Sequence, residues 1–241
     1  MNRLHSLCTV AVLCLLLSAC SSSNGQPPVD SEPVAPSQVL EFATLYAENC
    51  AGCHGKEGRG GAAIALANPV YLAIADEHSV RKAIASGVRG TSMPAFAQSA
   101  GGMLTDQQVD AITAGIFSRW ARKGILDASN PPSYTAKTPG SAANGQLVYA
   151  AYCASCHGLQ GQGTAKGSSI TNDSFLALVS DQGLRTVVVS GRPDLGAPDW
   201  RGNVPGRAMT DQEITDVVAW LGSRRSQTPG QPYAAANYPQ R

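Results

Sequence analysis

Aromatic side chains are scarce in this chain, at 6% of residues, and charged ones are few, at 15%, balanced to a net +1. That balance removes the strong global field on which nucleic-acid binders and partners of acidic surfaces rely, so no nucleic-acid partner is expected. Long apolar runs are missing too. The one extended run, Leu7–Leu17 with Thr9 interrupting it, falls short of the roughly 20 apolar residues that span a bilayer. No second run follows, so the remainder reads as soluble. No phosphate-binding loop, triad pattern or carboxylate pair at useful spacing stands out. Two-residue alternation is also absent. The stretch TVVVS, Thr186 to Ser190, is strand-like alone, but its counterpart KAIAS, Lys82 to Ser86, is not, and both are assigned to helices.

Cysteine is present in an informative arrangement. Of seven cysteines, Cys8, Cys14 and Cys20 lie in the first twenty residues. Arg3, a short apolar core and small residues before a cleavage point describe a secretory signal. Leu17-Ser18-Ala19-Cys20 resembles a bacterial lipoprotein box. The resemblance implies a signal peptide over 1–19, cleavage before Cys20, diacylglycerol on its thiol and a lipid-anchored, periplasm-facing protein. An ordinary signal with a chance cysteine is the alternative. Residues 20–36 are rich in Ser and Pro with little to bury, and read as a disordered tether. The four remaining cysteines fall in two paired motifs, so no disulfide is expected.

Those motifs are CAGCH, Cys50 to His54, and CASCH, Cys153 to His157, and they head an internal repeat. The motif recurs at a shift of 103 residues, the segment from Asn68 recurs from Asn172 at 104, and LTDQQVDAI from Leu104 recurs as MTDQEITDV at 105. Two domains, 37–125 and 140–225, are thus expected, joined by a Pro- and Ser-rich linker over 126–139 and followed by a flexible tail over 226–241. Helical spacing runs through each copy. In the first helix Leu40, Thr44 and Ala47 share a face, with Phe42, Leu45 and Tyr46 beside it. Middle helices are expected over Tyr71–Ser86 and Phe175–Ser190, each closed by a left-handed glycine cap, Gly87 or Gly191. The last helices open with capping boxes, Thr105 with Gln108 and Thr210 with Glu213. Val109, Ile112 and Ile116, then Ile214, Val217 and Leu221, follow as buried stripes. Trp120 ends the first copy and is expected against the linker. Some eighty residues with so few large apolar side chains make a poor core, so something else must fill each centre.

Two thiols three residues apart at a helix end can both form thioether bonds to the vinyl groups of a haem, and the following histidine can reach its iron; C-x-x-C-H is the attachment signature of c-type haem. A redox C-x-x-C needs neither the histidine nor the duplication, and a zinc site needs the two pairs to converge. Both copies resemble class I cytochrome c domains over about Ser37 to Arg225, and together resemble a membrane-tethered dihaem cytochrome c. The resemblance implies an all-α fold, thioether bonds from Cys50, Cys53, Cys153 and Cys156, iron ligation by His54 and His157, and a methionine as sixth ligand. Met93, in TSMPAF and 39 residues after His54, matches that methionine. The second copy has Ala197 there, in DLGAPDW, which leaves three possibilities: Met209, 52 residues after His157; an open or water-bound iron; or another ligand. His78 lies in a polar stretch and is expected in solvent.

The resulting expectation is an extracytoplasmic electron carrier in a respiratory or related chain. Its donor would be a quinol-oxidising complex or another dehydrogenase, its acceptor a terminal oxidase or soluble cytochrome. A peroxidase-like enzyme using an open second iron, with Arg192 and Asp199 as available polar groups, is the alternative. A gas-sensing or docking subunit is a weaker one. Arginines cluster near both ligand loops, Arg81 and Arg89 with Lys82 in the first copy and Arg192, Arg201 and Arg207 in the second, as partner-steering or merely solvated charge.

Overall fold

Each helix longer than one turn begins on a side chain that caps it, which is why the breaks fall where they do. The computed structural model describes residues 34–227. Cys8, Cys14, Cys20, the 1–19 segment, most of the 20–36 segment and most of 226–241 lie outside the described residues. Residues up to Gln38 and those from Val39 onward form separate units. The described part of the first ends in a 3-10 turn, Pro36–Gln38. The second contains both repeats.

In the first repeat the helices are α1 (Phe42–Asn49), α2 (Ala51–His54), α3 (Pro69–Ile74), α4 (Glu77–Ser86) and α5 (Asp106–Trp120). In the second they are α6 (Ala142–Tyr152), α7 (Ala154–His157), α8 (Asp173–Leu178), α9 (Asp181–Ser190) and α10 (Asp211–Ser223). No strands occur among the described residues, only isolated bridges such as Ala97–Leu104 and Arg192–Ala197. The all-α expectation therefore agrees with the structure, and TVVVS is helical within α9.

Several local expectations are corrected. Each middle helix is two helices. Asp76 accepts from the amide of Ser79 at 2.6 Å, and Ser180 from that of Gly183 at 3.1 Å. Each starts a new helix where the spacing alone reads as continuous. Gly87 and Gly191 do have positive φ, 67° and 68°, but with extended ψ, so they redirect the chain rather than form a left-handed helical cap. Leu40 is exposed, and α1 buries Leu45 and Tyr46. Both capping boxes are formed, and the two apolar stripes are buried. Trp120 packs edge-on against Phe42 and Tyr46, with ring centroids 5.7 and 5.2 Å away. It therefore ties the two ends of its own repeat together.

The first and last helices of each repeat cross closely, and the crossing is solved twice in mirror fashion. Gly115 on α5 lies under the Phe42 ring, so close that a Cβ there would sit 2.1 Å from a ring carbon. In the second repeat the glycine is Gly145 on α6, where a Cβ would lie 2.0 Å from the Asp216 carbonyl oxygen, and the large residue opposite is Trp220. The repeat offsets align Phe42 with Gly145 and Gly115 with Trp220. Large and small have traded helices while the fit is kept.

The repeats also lock onto each other. Val70 and Ile74 of α3 pack into the second repeat's apolar cluster. The Asn68 side chain donates to the Ser190 carbonyl at 2.8 Å. The connector is held as well. Arg185, only 2% exposed, donates to the carbonyl of Ser133, the hydroxyl of Thr215 and the carboxylate of Asp211. The amide of Ser133 reaches the same carboxylate at 2.8 Å.

Gly145→Ala tests the crossing. Alanine is favoured over glycine inside a helix by about 1 kcal/mol, so propensity predicts a gain. The contact with backbone predicts a net loss of about 1–3 kcal/mol, to be read from urea denaturation of the purified protein.

Candidate functional site

The two motifs are built alike. α1 and α6 each end at the first cysteine, and a single turn, α2 or α7, carries the second cysteine and the histidine. That turn stops at a glycine with positive φ, Gly55 at 83° and Gly158 at 81°, a conformation that side chains disfavour. The tyrosine four residues ahead of each motif explains its own position here. Tyr46 donates to the Gly55 carbonyl at 2.8 Å, and Tyr149 to the Gly158 carbonyl at 2.6 Å. Each bond pins the end of the motif to the helix that precedes it.

The histidines are oriented from behind. The Nδ1 of His54 lies 2.9 Å from the Ile64 carbonyl oxygen, and that of His157 lies 2.7 Å from the Ser168 carbonyl oxygen. A carbonyl only accepts, so Nδ1 carries the proton and Nε2 keeps its lone pair. This is the tautomer and the backing contact that a metal-ligating histidine needs. Burial pushes the His54 imidazole below its usual value, opposed by the hydrogen bond to the Ile64 carbonyl and assisted by the nearby Arg192 charge.

The thiols fit attachment better than redox exchange. Cys50 and Cys153 are partly buried, while Cys53 and Cys156 are exposed. Burial, followed by the neighbouring cysteine, pushes Cys50 up to about 11 and Cys153 to about 12. Thiol–disulfide chemistry instead uses a lowered value. No three His, Cys, Asp or Glu side chains converge on a possible metal point among the described residues, so the two pairs do not assemble one zinc site. Both motifs thus fit a haem held by two thioethers with a single histidine presented to iron, and each opens onto its own apolar cluster. Cys50, Ala51, Ile64 and Met93 edge the first cluster; Cys153, Ala154, Ile170 and Val204 edge the second.

The remaining candidate residues divide clearly. Met93 is half-buried on the loop after α4, its amide accepted by the Thr91 hydroxyl at 3.1 Å. Met209 is only 3% exposed and packs among Trp200, Ile214 and Val217. His78 is exposed. Arg81 pairs with Asp106 and Asp110, Arg201 with Asp199, and Arg207 with Glu213. Arg192 turns to the other repeat. Its guanidinium binds Asp194 at 2.8 Å and the Gly61 carbonyl at 2.9 Å, and Asp194 in turn accepts from the Gly60 amide at 2.8 Å. This buried clamp joins the second repeat's ligand loop to the segment just after the first motif. Sequence spacing offers no sign of it, nor of the Ile64 and Ser168 carbonyls, since any residue supplies a carbonyl. A cleft lined by Gly90, Leu176, Val179, Asp181, Gln182 and Arg225 includes no residue of either motif.

The clamp has a pH signature. The hydrogen bond from Arg192, assisted by the Gly60 amide, holds Asp194 below the usual carboxylate value. Its stabilisation is therefore complete above the unfolded value of about 3.9 and is lost as pH falls through the lower folded value. Stability is expected to hold from neutrality to about pH 5 and to decline below about pH 4. Asp194→Asn should remove part of that acid slope in denaturation curves taken across this range.

Two family models match separate parts of the chain. A family model described as "Cytochrome c" matches residues 142–225. Another, described as "Cytochrome C oxidase, cbb3-type, subunit III", matches residues 37–114. The chain is 33% identical over 131 residues to the Cbb3-type cytochrome c oxidase subunit CcoP of Azospirillum sp. (strain B510), covering 50% of this chain and 39% of that protein. It is 31% identical over 148 residues to the Cbb3-type cytochrome c oxidase subunit FixP of Sinorhizobium medicae (strain WSM419), covering 55% of this chain and 45% of that protein. The chain thus spans less than half the length of these relatives. Among solved structures, the Kuenenia stuttgartiensis reducing HAO-like protein complex Kustc0457/Kustc0458 aligns with a TM-score of 0.42 at 16% identity, over 80% of this chain and 98% of that one. That likeness is too loose to carry an argument.

Proposed function

We propose that this dihaem c-type cytochrome, with a covalently bound haem c in each of its two tandem domains, relays single electrons in a respiratory chain. The observation that carries the reading is the doubled motif in which each histidine is backed by a carbonyl at Nδ1. A bound haem c supplies the one-electron ferrous–ferric couple. The chain's own work is to hold, orient and insulate. Cys50 and Cys53, then Cys153 and Cys156, fix the two groups in place. His54 and His157 present Nε2 from a locked ring. Met93 is the thioether ligand in the first domain, a combination that raises the potential relative to two nitrogen ligands.

The relation to subunits of cbb3-type oxidases supports a terminal oxidase or its electron-supply arm as the acceptor side. A quinol-oxidising complex, another dehydrogenase or a soluble cytochrome completes the partner set. Among the described residues no helix is long and apolar enough to cross a membrane. Attachment on the extracytoplasmic side is proposed to come through lipid on Cys20, outside the described residues. The peroxidase-like alternative has less support, because the polar groups available to it are committed elsewhere: Asp199 to Arg201 and Arg192 to Asp194 and Gly61.

The test is a spectroscopic redox titration of the membrane-extracted protein, with hydrogen peroxide turnover measured on the same material. Two one-electron haem transitions and only background peroxide turnover are expected, with Cys20→Ser moving the protein to the soluble fraction. Catalytic peroxide turnover would contradict the relay reading, and a Cys20→Ser protein that stays on the membrane would contradict the anchor.

A further inference from the structure

The two domains place different residues on the corresponding loop, Met93 in the first and Ala197 in the second. Hydrogen bonding fixes the correspondence independently of sequence alignment. After the positive-φ glycine of each middle segment, Val88 donates to the Met93 carbonyl at 3.0 Å, and Arg192 donates to the Ala197 carbonyl at 3.0 Å. Farther on, Leu104 donates to the Phe96 carbonyl at 2.8 Å, and Met209 to the Trp200 carbonyl at 2.9 Å. Ala197 therefore occupies the place of Met93, and Met209 the place of Leu104. Leu104 is 6% exposed and packs in the first core; Met209 is 3% exposed and packs in the second. The Met209 sulfur has the Asn203 side-chain nitrogen 3.9 Å away. Met209 fills the role of a core leucine, while Met93 stays half-buried at the edge of its cluster.

The second loop is also more fully hydrogen-bonded to itself. Arg192 and Ala197 exchange both backbone hydrogen bonds at 3.0 Å, around the 3-10 turn Pro193–Leu195 and a left-handed Gly196. The first loop has one such bond, from Val88 to Met93, and the Thr91 hydroxyl bonded to the Val88 carbonyl. The Arg192–Asp194 clamp then fastens the second loop to Gly60 and Gly61 of the first domain. Its polar side chains are thus engaged, and its ligand position ends in a methyl group. Of the four methionines, Met1, Met93, Met103 and Met209, Met209 alone lies in the second repeat, so no further thioether is available there.

We infer that the second haem iron takes no thioether from this chain, and that its distal position is a binding site for a small neutral diatomic ligand of the carbon monoxide or nitric oxide class. The inference rests on the reading that each C-x-x-C-H holds a haem. It assigns the two domains different tasks: Met93 closes the first iron to everything but electrons, and Ala197 leaves room at the second.

Carbon monoxide titration of the reduced, full-length protein tests this, on material whose mass first establishes two haems, so that a failure of attachment is seen separately. One carbon monoxide per chain is expected. Met209→Leu, which installs the residue the first domain uses at that place, should leave both the stoichiometry and the ferric spectrum unchanged. Ala197→Met should reduce uptake at least tenfold. Met93→Leu should remove the ferric thioether absorption and raise uptake to two. No uptake by the unaltered protein, two per chain in the unaltered protein, or a Met209→Leu protein that gains uptake or loses thioether absorption would each overturn the inference.

Discussion

Everything in this structure depends on a histidine held by the backbone behind it. In each domain the Nδ1 proton is committed to a carbonyl, of Ile64 or of Ser168, and that commitment leaves the Nε2 lone pair free, as a metal-ligating histidine needs. The surrounding features serve the same end. A tyrosine hydroxyl pins the glycine after the histidine. The helix that leads into each motif is crossed closely by the last helix of its repeat. Burial pushes the His54 imidazole below its usual value. A chain with so few aromatic side chains can manage this because a covalent haem supplies interior that the side chains do not.

Duplication has preserved this constraint and relaxed others. The helix crossing survives with its large and small partners exchanged between helices. One backbone hydrogen bond of the loop survives, yet Ala197 stands where the first domain has Met93. The second loop has gained a charged clamp that reaches across to the first motif. The domains are thus alike in how they hold a histidine and different in what stands opposite it. One of them also braces the other just after its C-x-x-C-H motif.

Much of this was legible in the sequence because it depends on residue type at fixed spacing. The C-x-x-C-H motifs, the capping boxes at Thr105 and Thr210, the buried stripes of the last helices and the missing methionine are of that kind. The breaks at Asp76 and Ser180 were harder to see. A polar residue inside a periodic run reads as surface until its side chain is found capping an amide. Leu40 illustrates the opposite error, an apolar residue on the right period that the chain leaves in solvent because α1 begins after Glu41. The interdomain clamp was invisible, since Arg192 and Asp194 bind backbone more than a hundred residues away.

The central claim is that each half of the chain holds one haem by two thioether bonds, with the porphyrin completing the interior. Intact mass of the mature protein tests this most directly. The account predicts the polypeptide mass plus two haems that survive denaturation and organic extraction. A mature polypeptide without that added mass, or with a single haem, would contradict it.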